Sequence, residues 1–171
     1  IRDRNDRRGK AKMENKVILY HTSYCVVNEP NLELCSDNRD FGKGFYLTSS
    51  YIQARRFVKT SLRKAKMEKF IDEKKTTGYI NKFEFDVTLL KQLKTHEFAE
   101  ANREWLHCVV AHRRRDVFQE LIPMYMPYDI MIGKIADDRT GPTIFTYING
   151  QYGEIGSEEA DLSLIHISEP T

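Results

Sequence analysis

The stretch DFGKGFYLTSS, residues 40–50, places two glycines and a lysine directly before two aromatic side chains and then turns polar. Gly42 and Gly44 can adopt dihedrals closed to other residues and let another group approach the main chain. Phe45, Tyr46 and Leu47 favour extended structure. The spacing predicts a loop entering a strand with a flat, aromatic-edged surface beside it. Two uses fit such a segment: a glycine-marked bulge over core aromatics, or a cradle for a ligand.

Upstream, VILYHT (17–22) is a short apolar run ending in polar residues and predicts a buried strand. The following SYCVVNEPNLELCSDNRD is rich in turn formers and reads as a long ordered loop, a kind of segment that is commonly functional. Downstream, Ser49 or Ser50 can cap a helix over 51–68. In that helix Ala54, Val58, Leu62 and Phe57, Ser61, Ala65 recur at helical spacing, with Arg55, Arg56, Lys59, Arg63 and Lys64 on the other sides.

KFEFDV (82–87) alternates Phe83, Phe85 and Val87 with Glu84 and Asp86, the pattern of a half-buried strand with both acids toward solvent. A helix over 97–112 carries Phe98, Ala101, Trp105 and Val109 on one stripe. YDIMIGKI (128–135) predicts another strand. Then come the turn ADDR and a helix over 142–149, begun by Pro142 and ended by Gly150. Asp137, Asp138 and Arg139 have capping potential for that helix, a use that fits them better than a catalytic role. Strands interspersed with helices define an α+β or mixed α/β domain.

The 171 residues suffice for one domain, and 40% hydrophobic with 30% charged residues fits a globular protein. A net charge of +2 gives no global argument for nucleic-acid binding, although cations cluster at 2–16, 55–75 and 113–115. Cys25, Cys35 and Cys108 have neither CxxC nor Cys/His spacing, so neither a disulfide framework nor a metal site is expected. No apolar run approaches the roughly 18 residues of a membrane span, and no signal-peptide core is visible. The expected setting is the cytoplasm, with secretion as an effector left open, and no membrane partner is expected.

Taken together, LYHTS (19–23), DFGKGFYLTSS (40–50) and QARRF (53–57) resemble the ADP-ribosyltransferase superfamily, in the branch of poly(ADP-ribose) polymerases and diphtheria toxin. There a first strand ends in His-Gly-Ser or a variant, a second carries Phe-Gly-Lys-Gly-hydrophobic-Tyr, and the next helix supplies another aromatic. From about Val17 to Ala160 the chain is similar to a bacterial family of ADP-ribosyltransferase-like proteins of unknown function, including EFAEANREWLHCVVAHRR and YDIMIGKIADDR. The resemblance implies an α+β fold of split, mostly antiparallel sheets with flanking helices and an NAD cleft.

It also implies roles. His21 would bond the adenosine ribose, and the main chain of Thr22, beside Ser23, would hold the nicotinamide carboxamide. Gly42, Lys43, Gly44 and Tyr46 would form one wall, and Tyr46 and Phe57 would stack on the nicotinamide. NAD would be the substrate, cleaved through an oxocarbenium-like centre with nicotinamide release. Read alone, His21 fits first a satisfied histidine at a strand end, the commoner case, Tyr46 and Phe57 also fit core positions, and Lys43 fits a solvated loop charge.

Thr22 departs from the family's usual glycine. The glutamate that many relatives carry on a later strand has no counterpart that the residues identify: Glu154, Glu158 and Glu159 fall in a loop and a helix start. The catalytic residue is therefore unassigned. The terminal DLSLIHISEPT resembles translated read-through of sequencing-adapter DNA, and the opening IRDR resembles its other end. Ser157–Ala160 look like the cap and first turn of a helix with no amphipathic continuation. The expected organisation is a tail over 1–12, a truncated domain over 13–160 starting at Met13, and a foreign tail over 161–171.

The expected activity is transfer of ADP-ribose to a protein or nucleic-acid acceptor, as a mono-transferase, or hydrolysis of NAD. The alternatives are a non-catalytic module for NAD, ADP-ribose or a partner, and a nucleic-acid-binding domain using the basic helix 55–66.

Overall fold

A computed structural model of the chain describes residues 15–114, 116–135 and 140–168. Asp137, Asp138, Arg139 and the 1–12 tail lie outside the described residues. Two compact units are present. One comprises the residues up to Asn31 and Phe45–Gln92, the other Leu32–Gly44 and the residues from Leu93 onward. The stretch 40–50 is therefore divided between them, with Gly44 ending one part and Phe45 starting the next.

In the first unit, β1 (Lys16–Ser23) pairs antiparallel with β2 (Tyr79–Asp86) over its whole length, from Lys16 opposite Asp86 to Ser23 opposite Tyr79. The period-2 pattern is realised: Phe83 and Phe85 are half-buried, while Lys82, Glu84 and Asp86 are exposed. Asp86 also caps α2 (Val87–Leu90) by accepting the Thr88 amide at 2.8 Å.

The serine cap forms as the sequence predicts. Ser50 Oγ accepts the Gln53 amide at 3.2 Å and starts α1 (Tyr51–Met67), a cap typically contributing about 1 kcal/mol. Ala54, Leu62 and Ala65 form the buried stripe. Thr22 Oγ1 donates to the Ala54 carbonyl at 2.8 Å and fastens the helix to β1.

No strand forms over Phe45–Leu47. The segment makes one isolated bridge, in which Tyr20 and Thr48 exchange amide-to-carbonyl bonds of 2.8 and 2.9 Å. Side chains hold it where a ladder would have: the Phe45 ring stacks on His21 at 4.2 Å and meets Phe83 edge-on at 5.5 Å.

In the second unit, β3 (Thr95–Glu97) and β4 (Ile130–Ile132) pair in parallel, with Thr95 opposite Ile130. The expectation of mostly antiparallel sheets fails here. The chain leaves β3, runs through α3 (Arg103–Arg113) and α4 (Ile122–Tyr125), and returns, the helical crossover that parallel strands require. Helix α3 begins later than the predicted residue 97. Residues 95–97 are in β3, the Phe98 amide still bonds the Ile132 carbonyl at 2.8 Å, and Asn102 then caps through the Trp105 amide.

The core of this unit joins Trp105, Leu106, Cys108, Val109 and Val110 of α3 to Ile144 and Tyr147 of α5 (Thr140–Ile148) and Ala160 and Leu164 of α6 (Glu158–Ser168). Helix α6 does continue past Ala160, contrary to the pattern reading. Its buried face carries Asp161, a polar residue that hides the stripe. The carboxylate is paired with Arg103 Nε at 2.6 Å, His107 Nε2 at 2.9 Å and the Tyr147 hydroxyl, which is what makes its burial tolerable. The described residues thus form a mixed α and β fold with two small two-stranded sheets.

Candidate functional site

His21 sits near the end of β1, where burial depresses its pKa from 6.5, partly offset by a hydrogen bond to the Tyr46 carbonyl. A neutral imidazole 2.8 Å from that carbonyl must place its proton on Nδ1, because the carbonyl can only accept. Nε2 is left with a lone pair. The ring is also oriented by its stack on Phe45.

Tyr20 exchanges both of its main-chain bonds with Thr48, on the edge of β1 opposite β2. Antiparallel alternation then turns the N–H and C=O of His21 toward β2 and those of Thr22 back to the Thr48 edge. The His21 carbonyl does accept from Asn81 Nδ2 at 3.4 Å. The main-chain groups of Thr22 therefore lie on an edge where, among the described residues, no strand continues past Thr48. Its side chain is committed to α1 through Ala54. Ser23 is buried and its Oγ accepts the Cys25 amide at 3.4 Å, a turn-forming role.

Tyr46 and Phe57 are both half-buried in the first unit, Tyr46 on the segment tied to His21 and Phe57 in the second turn of α1. His21, Thr22, Ser23, Tyr46 and Phe57 thus share one unit, whereas Gly42, Lys43 and Gly44 belong to the other.

Gly42 has its own structural explanation in that second unit. Its φ is +77°, and a Cβ there would lie 2.6 Å from Cδ2 of His112. Its neighbours are equally anchored. Asp40 is buried and accepts from Arg113 Nε at 2.8 Å and Nη2 at 2.5 Å through one oxygen. The Phe41 ring stacks on Phe98 at 5.6 Å and reaches Gly133, where a Cβ would come within 2.8 Å of it. Lys43 is exposed.

Sequence reasoning passed over Asn81, Arg113 and His112. Asn81 is buried and accepts the Val27 amide at 2.8 Å while donating to the carbonyls of His21 and Cys25, so it fixes the chain leaving β1. An asparagine within an otherwise alternating strand was the available signal. Cys108 approaches His112 Nδ1 at 3.6 Å, but burial pushes its thiol up to about 12, which rules out a thiolate nucleophile near neutral pH. Among the described residues no group of three or more His, Cys, Asp or Glu could hold a metal ion, and no helix is long and apolar enough to cross a membrane.

The model of one protein family, described as a protein of unknown function (DUF3990), matches residues 17–170. The match includes most of the terminal segment that resembles adapter read-through. No curated protein matches the chain. No solved structure matches it either.

Proposed function

We propose that this chain, which belongs to the DUF3990 family, binds NAD beside the end of β1 and transfers ADP-ribose to an acceptor or to water, releasing nicotinamide. One observation carries the reading. His21 is a neutral imidazole whose Nδ1–H is taken by Tyr46, so Nε2 offers a lone pair to a ribose hydroxyl, next to the main-chain groups of Thr22 on an edge where, among the described residues, no strand continues past Thr48. An amide N–H and C=O on such an edge can pair with the C=O and NH2 of a carboxamide.

The aromatic rings of Tyr46 and Phe57, in the same unit, supply stacking surfaces for a nicotinamide. Cleavage of the nicotinamide–ribose bond builds positive charge on the ribose as the bond to nitrogen breaks, so a site that orients both halves of NAD lowers the barrier with little acid–base machinery. The residue that would polarise the ribose hydroxyl is unassigned. Gly42 is not needed for this reading, because its glycine is accounted for by His112.

The test is a thermal-unfolding titration of the full chain with NAD and with 3-aminobenzamide, a nicotinamide mimic. A ligand that binds the native state must raise Tm, and the stabilisation grows as the logarithm of its concentration above Kd. A shift with both ligands, lost in Tyr46→Ala, supports the site. No shift at millimolar concentration of either would overturn it. Chromatographic detection of nicotinamide then separates transferase or hydrolase chemistry from a module that only binds.

A further inference from the structure

Helix α1 carries six cations and no acid in 17 residues: Arg55, Arg56, Lys59, Arg63, Lys64 and Lys66. Arg55, Lys59, Arg63 and Lys66 fall at successive spacings of four, four and three, so they form one stripe, with about 6 Å of rise between members four apart. The stripe borders a groove of about 450 Å³ lined by Lys59, Leu62, Arg63, Lys66, Lys75 and Thr76 among others. Glu73 is the one carboxylate on its wall.

The far wall is the 73–76 segment, held in place by Lys66 Nζ donating to the Glu73 carbonyl at 2.5 Å. Four cations around one concavity repel each other and leave a net positive field for a multivalent anion to neutralise. Arg55, Arg56, Lys59 and Arg63 are all exposed.

Flat ring surfaces accompany these charges. Phe70, just past the end of α1, is 62% exposed although it stacks on Tyr24 at 6.0 Å. The ring of Tyr79 lies under Lys75 Nζ at 5.8 Å and is itself partly open. An aromatic ring under a groove cation, and an exposed one four residues past Lys66, match what an unpaired nucleic-acid strand presents, phosphates along one side and stackable bases along the other. A duplex hides its base faces and would use only the charges. An anionic bilayer would meet a concave basic groove poorly, since a membrane-binding helix needs an exposed apolar face opposite its charges, and the apolar stripe of α1 is buried.

We infer that the groove between α1 and residues 73–76 is a docking site for single-stranded nucleic acid, its backbone running along Arg55, Lys59, Arg63 and Lys66 and its bases reaching Phe70. This inference does not depend on NAD binding.

The test uses the full chain and a fluorescein-labelled 20-mer of thymidylate, read by anisotropy over a series of NaCl concentrations. Four phosphate contacts predict a log–log salt slope of about −3. Lys59→Glu/Arg63→Glu should weaken binding at least tenfold and flatten the slope, whereas Lys91→Glu/Lys94→Glu, an equal charge change on exposed lysines elsewhere, should change it far less. Lys59→Gln/Arg63→Gln repeats the test with a smaller charge change and should give the same order of effect. Phe70→Ala should cost about tenfold on the single strand and little on a duplex of the same length. No binding at low salt, equal loss in both charge-reversal variants, or binding to phosphatidylserine vesicles without binding to the oligonucleotide would each overturn the inference.

Discussion

The Nδ1–H of His21 donates to the carbonyl of Tyr46 at 2.8 Å, so one short bond sets both the tautomer of the histidine and the path of the segment that carries the tyrosine. Burial lowers the pKa of His21 below 6.5, more than the bond to Tyr46 raises it. The unfolded chain therefore holds more protons on this residue than the folded chain between the lowered value and 6.5. Stability then rises with pH across that window and is lost as pH falls through it. Denaturant unfolding at pH 7.5 and pH 5.5 should show a larger acid loss for the natural protein than for His21→Asn, whose amide can still donate to Tyr46. Equal losses would mean that His21 is not buried neutral.

The same tautomer makes a prediction for the ligand. Protonation of Nε2 removes the acceptor assigned to the ribose hydroxyl. NAD affinity, measured by calorimetry, should fall on acidification through the same window in the natural protein. In His21→Asn it should be weak at both pH values. An affinity independent of pH and of His21 would move the nucleotide elsewhere.

The first half of the signature stretch has a different job from the second. Gly42→Ala introduces a Cβ 2.6 Å from the ring of His112 and forces an L side chain to a φ of +77°. The expected cost is about 1–3 kcal/mol, part steric and part backbone. Adding His112→Ala should recover only the steric part, so a double-mutant cycle on unfolding free energies separates the two. Additive losses would show that His112 does not impose the glycine.

These relationships explain what could be seen in advance. The helix capped by Ser50 and the two separate strands β1 and β2 were legible because local chemistry and burial agree there: the cap takes its amide, and Phe83 and Phe85 alternate with exposed charges; their pairing with each other was not. The strand over 45–47 was misread because a run of Phe, Tyr and Leu signals extended, buried backbone without saying what will pair with it; His21 takes the Tyr46 carbonyl instead. Residues 97–101 looked helical because Phe98 falls in phase with Trp105, although Phe98 is bonded to β4. A half-buried histidine satisfied by a hydrogen bond at a strand end was one legible reading of His21. Its tautomer was not, because Tyr46 lies 25 positions away.

Asp40 and Arg113, 73 positions apart, anchor the glycine loop in the second unit. Arg113 is about a quarter exposed while Asp40 is buried, so the pair is only partly shielded from water. Asp40→Asn keeps the shape and an acceptor oxygen for Arg113 but removes the negative charge that offsets the guanidinium. A loss of about 2–3 kcal/mol in unfolding free energy is expected, less than for a fully buried pair. A loss below about 0.5 kcal/mol would mean that the charge of Asp40 adds little to the loop's anchorage.

The last prediction concerns α6, where pattern and packing disagree most. Leu164 is fully buried in the second unit's core, whereas Leu162, two residues earlier on the same helix, is 46% exposed. If residues 161–168 contribute to the native fold of this chain, Leu164→Ala should cost about 2–5 kcal/mol through lost contacts and the cavity it leaves, and Leu162→Ala well under 1 kcal/mol. Asp161→Ala should also be costly, because it removes the shared acceptor of Arg103, His107 and Tyr147. Urea unfolding of the three variants reads the contrast directly. Near-equal, small losses for all three would mean that the segment adds nothing to stability, and that the helix of this unit effectively ends at Ala160.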